Sequence, residues 1–272
     1  MAADTSWTLD PGPVLLIGTL GGVYVARWRR VRRAHPGFAG RREAPTWALV
    51  SYLGGILALI VALISPVDRL AEQAFTMHMV QHVLLLDLAP IGLILGLTKV
   101  ILRPVTHRLQ RLEESAGVLG HPVFAVFLYV ALMWLWHVPA LYDAALAHSL
   151  VHIAEHVCFM SAGLLYWWHL LGPIRSRHRL TEMGAVVYML STKLLVGLLG
   201  IGLTFAPEPL YAFYQHQAPI WGLTPTEDES LAGGLMAFEQ SVVMGIALVW
   251  LFVNALTASD AAERRAERYA AR

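Results

Sequence analysis

Two pairs of histidines four residues apart mark this 272-residue chain: His78–His82 in "MHMVQHVLLLDLAP" (77–90) and His152–His156 in "HSLVHIAEH" (148–156). Residues at that spacing share one helix face, so each pair can converge on one point. Neutral imidazole is a common ligand for zinc and copper. Glu155 falls within the stripe His148–His152–His156, as a further ligand or as the group that holds an imidazole in its tautomer. Met77 and Met79 flank His78 at about 100° on either side, and thioethers are soft donors suited to copper(I). Farther along, Met236, Glu239 and Gln240 share a helix face and could complete a site.

The same residues allow other chemistry. "HIAEH" fits the H-x-x-E-H pattern of inverted zinc peptidases, with Glu155 as general base for a zinc-bound water, so an intramembrane zinc hydrolase is the alternative. A catalytic zinc usually has three protein ligands and one open position, whereas here four or five histidines compete. A b-type haem takes one axial ligand from each facing helix; two dihistidine pairs chelate one small ion more naturally. Interhelical hydrogen bonding of the histidines, with methionine as apolar filler, is the plain structural reading. It would leave a metal-free assembly scaffold.

The elements that must position these residues are membrane helices. The chain is 57% hydrophobic and 14% charged, against about a quarter charged in soluble domains. The expected fold is all-α, a single polytopic bundle over 1–272 with a polar cytoplasmic tail at 257–272. Its seven transmembrane helices are Pro13–Ala26, Trp47–Ile64, Ala71–Leu97, Pro122–His137, Leu146–Leu171, Met183–Phe205 and Leu231–Leu256. The first has a short apolar core and no basic n-region before it, so it does not read as a cleaved signal peptide. Of the 20 Lys and Arg, all but Arg69 and Lys193 fall in the loops 27–46, 99–111 and 175–179 and in the tail. All of these lie on one side, which puts the N-terminus outside and the C-terminus in the cytoplasm. The other loops carry Asp68, Glu72, Asp143, Glu208, Glu227, Asp228 and Glu229, an acidity that topology alone would dictate.

With those boundaries, the third and fifth spans both enter from outside. His78 and His152 lie roughly 9 Å below the outer boundary, and His82 and His156 roughly 15 Å. Matched depth makes a four-nitrogen site if the two helices adjoin. Deeper still, Asp87 and Lys193 are expected to pair, which would remove two lone charges from lipid. His137 sits at the end of its span, where a histidine needs no special explanation. The glycines of "GLLGIGL" (197–203) are expected to let helices approach closely. Cys158 is the only cysteine, so no intramolecular disulfide forms. The basic loops are explained by topology and imply no nucleic-acid partner.

Together, "MHMVQHVLLLDLAP", "WHVPALYDAAL", "VHIAEHVCFMSAGLLYWW" and "EDESLAGGLM" resemble the CtaG family of integral-membrane cytochrome c oxidase assembly proteins, over about residues 50–256. The chain departs from that family's pattern at Glu229–Ser230 and at Ala237. The resemblance implies a multi-pass protein of the bacterial cytoplasmic membrane that serves the respiratory chain. It implies a copper site built from histidines, here His78, His82, His152 and His156. The copper would be supplied to cytochrome c oxidase subunit I. The other partners to expect are membrane lipid and an extracytoplasmic copper donor, with homo-oligomerisation open and no catalytic residue of its own.

Overall fold

The structure, a computed structural model, describes residues 3–35, 37–174, 177–178 and 180–270, with the backbone alone at 254, 255 and 258–270. Arg175, Arg179 and Arg272, counted above for topology, lie outside the described residues. Every regular element among the described residues is helical. Seven helices build the bundle: α1 (Pro11–Ala34), α2 (Thr46–Leu63), α3 (Phe75–Gly96), α4 (Pro122–Trp136), α5 (Ser149–Leu171), α6 (Glu182–Thr204) and α7 (Pro225–Ala270).

Five described segments are long and apolar enough to cross a membrane: Phe38–Leu63, which extends α2 backwards, then α3, α5, α6 and Pro225–Val253 of α7. Thr106–Gly120 together with α4 makes a sixth if that pair, bent by 64°, is one span. Seven are expected from sequence; α4 counts only within that bent pair, and the remaining difference lies in α1. It opens on Pro-Gly-Pro and closes on Arg29, Arg30, Arg32 and Arg33, so only its middle is continuously apolar. α1 nevertheless packs along α2, with Tyr24 stacked on Tyr52 at 3.6 Å and the Tyr24 hydroxyl donating to the Gly96 carbonyl at 2.7 Å.

Close helix approach relies on positions without a side chain. A methyl group on Gly55 of α2 would stand 2.6 Å from the Leu93 nitrogen of α3. One on Gly163 of α5 would overlap the Leu86 carbonyl oxygen of α3. In "GLLGIGL" only Gly200 has this role, against Gly233 and Ala237 of α7, while Gly197 and Gly202 have open space beside them.

The Gly163 contact depends on a local departure inside α3. Pro90 has no N–H to give the carbonyl four residues back, and its ring would crowd that carbonyl. Here that carbonyl belongs to Leu86, and the turn Leu84–Leu88 just before Pro90 widens into a π-helix. The freed Leu86 carbonyl faces Gly163, which lets α3 and α5 meet at backbone distance.

Within the π-turn, Asp87 is buried at 1% exposure. It accepts from the Tyr129 hydroxyl at 2.8 Å and from Trp167 Nε1 at 2.7 Å. This corrects the expected pairing with Lys193: no ion pair joins the two among the described residues. Two neutral donors at short range satisfy the carboxylate in place of an ammonium. The ammonium of Lys193 lies instead beside Gly245 of α7.

At the end of the bundle where α3, α5 and α7 begin, acidic side chains tie the loops down. Asp228 of α7 accepts from the backbone N–H of Phe75 at 2.6 Å and of Thr76 at 3.1 Å, and from the Thr76 hydroxyl at 2.6 Å. It caps α3 from another helix, since α3 has no capping side chain of its own. Asp143 accepts from Phe213 N and Glu229 from Leu210 N. Asp143 and Glu229 thus hold the α6–α7 connection in place.

Candidate metal centre

α3 carries His78 and His82 one turn apart before the π-turn, in regular α-helix (Phe75–Val83), so both rings leave the same face. α5 carries His152, Glu155 and His156 opposite them. The Gly163–Leu86 contact lies two turns deeper and sets how near the two faces come. His78 is 0% exposed, His82 2% and Glu155 0%. His152 and His156 are half-buried on the same α5 stripe.

The rings meet. The Nε2 atoms of His78 and His82 are 2.7 Å apart. Glu155 places one carboxylate oxygen 3.6 Å from His78 Nε2 and the other 3.5 Å from His82 Nε2. The ring centroids of His78 and His152 lie 5.3 Å apart, and those of His82 and His156 6.1 Å. Ligand atoms of His78, His152, Glu155 and His156 all fall within 4.8 Å of one another. Two nitrogens bound to one ion at about 2.0–2.1 Å stand at most about 4.2 Å apart, so small side-chain shifts close the group around an ion.

The hydrogen bonding fits that use. Buried polar atoms are normally paired. Here His152 Nε2, His156 Nε2, His82 Nδ1 and both Glu155 oxygens have no hydrogen-bond partner. The tautomer of His78 follows from its neighbour. The Tyr214 hydroxyl donates to the Ala71 carbonyl at 2.6 Å and lies 3.3 Å from His78 Nδ1. Its single proton being spent on Ala71, the phenol oxygen accepts from Nδ1–H. His78 Nε2 therefore presents its lone pair to the cluster, the outer-shell arrangement usual for a metal-binding histidine.

The other expected residues are placed as follows. His148 stands at the N-cap position of α5, exposed and without a side-chain capping bond, and is not part of the group. Met77 packs with Leu70, Ala74 and Ile220, away from the rings. Met79 is fully buried, its sulfur 3.4 Å from His137 Nε2. Met236 shares a cavity with Met79 and His82. Cys158 packs at the edge of the apolar core.

Two neighbours of the cluster were not legible in sequence. His137, just past the end of α4, is 5% exposed, and its ring is 6.2 Å from that of His82. Its Nδ1 lies 2.6 Å from the Met133 carbonyl, which can only accept, so Nδ1 is protonated and Nε2 carries the lone pair. Position at the end of a span hid it. The second is Tyr214, which reaches His78 from a long connection with no helical period to read.

Among known proteins, the family described as cytochrome c oxidase caa3 assembly factor matches residues 22–258. An uncharacterized protein of Mycobacterium leprae is 26% identical over 234 residues, covering 77% of this chain and 31% of its own. Uncharacterized proteins of Mycobacterium bovis and Mycobacterium tuberculosis are each 25% identical over 256 residues, covering 85% of this chain and 36% of theirs. The chain thus spans about a third of the length of these curated relatives. No solved structure matches.

Proposed function

The chain belongs to the cytochrome c oxidase caa3 assembly factor family, and on that premise we propose that it is a membrane copper-binding factor that supplies copper to the oxidase. The observation that carries this is the set of buried ligand atoms with no hydrogen-bond partner, on His152, His156 and Glu155. Leaving such atoms unpaired costs about 1–3 kcal/mol each, a cost an ion removes. His78, His82, His152 and His156 hold the copper, with Glu155 between the pairs offsetting its charge.

In this reading α1 is a seventh span, the N-terminus is outside and the C-terminus cytoplasmic. The histidine end of the bundle then faces the extracytoplasmic side, where a copper donor would load it. The receiving partner is cytochrome c oxidase subunit I. The protein itself is not an enzyme. In the zinc-hydrolase alternative Glu155 must face a substrate water, yet its two oxygens point at His78 and His82, and all three side chains are buried.

The test is metal content after purification in detergent from copper-supplemented cells. About one nitrogen-bound copper per chain is expected by copper-edge X-ray absorption, lost in His78→Ala/His152→Ala and kept in His148→Ala. Zinc in place of copper, or nitrogen-bound copper retained by the double variant, would overturn the proposal.

A further inference from the structure

Beside His82, α3, α4, α6 and α7 enclose a small cavity. Its lining includes Met79, Met133, Met236, His82, Glu239 and Gln240, with Val83, Leu86 and Val196 among them. Asp87 adds a carboxylate to the same wall. About 10 Å³ is open to the centre of a water-sized sphere, enough for about one such occupant. The three methionines are 0%, 4% and 3% exposed, and His82, Glu239 and Gln240 are 2%, 5% and 3% exposed. Each of the last three carries an unpartnered atom: His82 Nδ1, Glu239 Oε1 and Gln240 Oε1.

Methionine in an apolar core is commonly filler. Filler does not account for this chamber. Three methionines from three helices line one water-sized space whose largely apolar wall also holds three polar atoms without a partner. Soft sulfur donors select copper(I) over hard divalent ions. Carboxylates offset a positive charge where lipid and apolar side chains cannot.

We propose that the Met79–Met133–Met236 chamber is a second copper(I) position, reached from the histidine cluster through His82. The inference rests on the reading that the cluster carries copper. His82 stands between the two groups. Its Nε2 lies in the cluster and its ring also lines the chamber, so the ion passes inward along this one side chain. The ion stays copper(I) throughout and no electron is transferred. Asp87 and Glu239 hold the charge without serving as ligands.

The experiment uses full-length protein labelled with selenomethionine, loaded with copper(I) in detergent and measured at the selenium and copper X-ray absorption edges. A copper neighbour at selenium is expected, with about two copper(I) per chain. The near-isosteric Met79→Leu/Met133→Leu/Met236→Leu variant should lose the copper neighbour at selenium and fall to about one copper, still nitrogen-bound. His78→Ala/His152→Ala should lose the nitrogen-bound copper and keep the selenium signal. Nitrogen-bound copper with no copper at selenium overturns the chamber and leaves the proposed function standing. A selenium signal that persists in the triple leucine variant, or vanishes in the histidine variant, also overturns it. Protein that takes up no copper overturns both readings. The first measurement needs no substitution, so a triple variant that misfolds does not remove the test.

Discussion

Tyr214 and His78 are joined by a hydrogen bond whose direction is fixed by a third group. The phenol donates to the Ala71 carbonyl at 2.6 Å, so at 3.3 Å it accepts from His78 Nδ1. That leaves the lone pair of Nε2 toward His82 and Glu155. Tyr214→Phe keeps the ring and removes both bonds. It should lower copper affinity about 10–100-fold, the usual effect of losing a partner behind a ligand. Competition with a copper(I) chelator measures this, and unchanged affinity would mean that the tautomer is set elsewhere.

Why the histidines were readable and Tyr214 was not is a matter of range. His78, His82, His152, Glu155 and His156 are related by helical period within two short stretches, and period survives in sequence. The bond from Tyr214 to His78 spans 136 positions. It depends on where an irregular connection is pinned by Asp143 and Glu229, which composition shows only as acidity. The Asp87–Lys193 pairing failed for a related reason. Opposite charges at similar depth look like partners, but Tyr129 and Trp167, apolar by composition, carry the donors that reach Asp87. The π-turn was hinted at by Pro90 alone.

The start of α3 depends on Asp228. Its carboxylate takes two backbone N–H groups and the Thr76 hydroxyl, and α3 has no substitute. Asp228→Ala should cost about 0.5–2 kcal/mol, as for other lost N-caps, and should loosen His78 one turn below. Thermal unfolding in detergent should show a lower midpoint together with weaker copper retention. Asp228→Asn, which keeps one acceptor, should fall between. A midpoint equal to that of the unsubstituted protein would show that the cap is dispensable.

Gly163 sets the distance between the two histidine faces. Its would-be methyl overlaps the Leu86 carbonyl, which is backbone and cannot swing aside. Gly163→Ala should destabilise by about 1–3 kcal/mol through overpacking and move His152 and His156 away from His78, with loss of copper. Gly197→Ala, facing open space on α6, is the control and should behave as the parent does. Equal stability and copper content in the two variants would remove Gly163 from the account.

Asp87 offers the sharpest choice between two kinds of partner. If its charge were held by Lys193, removing the lysine would strand a buried carboxylate at a cost of about 3–5 kcal/mol. The geometry places the Tyr129 hydroxyl and Trp167 Nε1 at 2.7–2.9 Å instead. Tyr129→Phe should therefore destabilise by about 1–3 kcal/mol, the cost of leaving a buried acceptor short of a donor. A double-mutant cycle separates the cases. Asp87→Asn with Tyr129→Phe should couple by more than about 0.5 kcal/mol, because the two groups touch, whereas Asp87→Asn with Lys193→Met should be additive within about that margin. Strong coupling to Lys193 with none to Tyr129 would return the carboxylate to an ion pair. It would also free Tyr129 and Trp167 to be ordinary packing residues of the α3–α4–α5 interface.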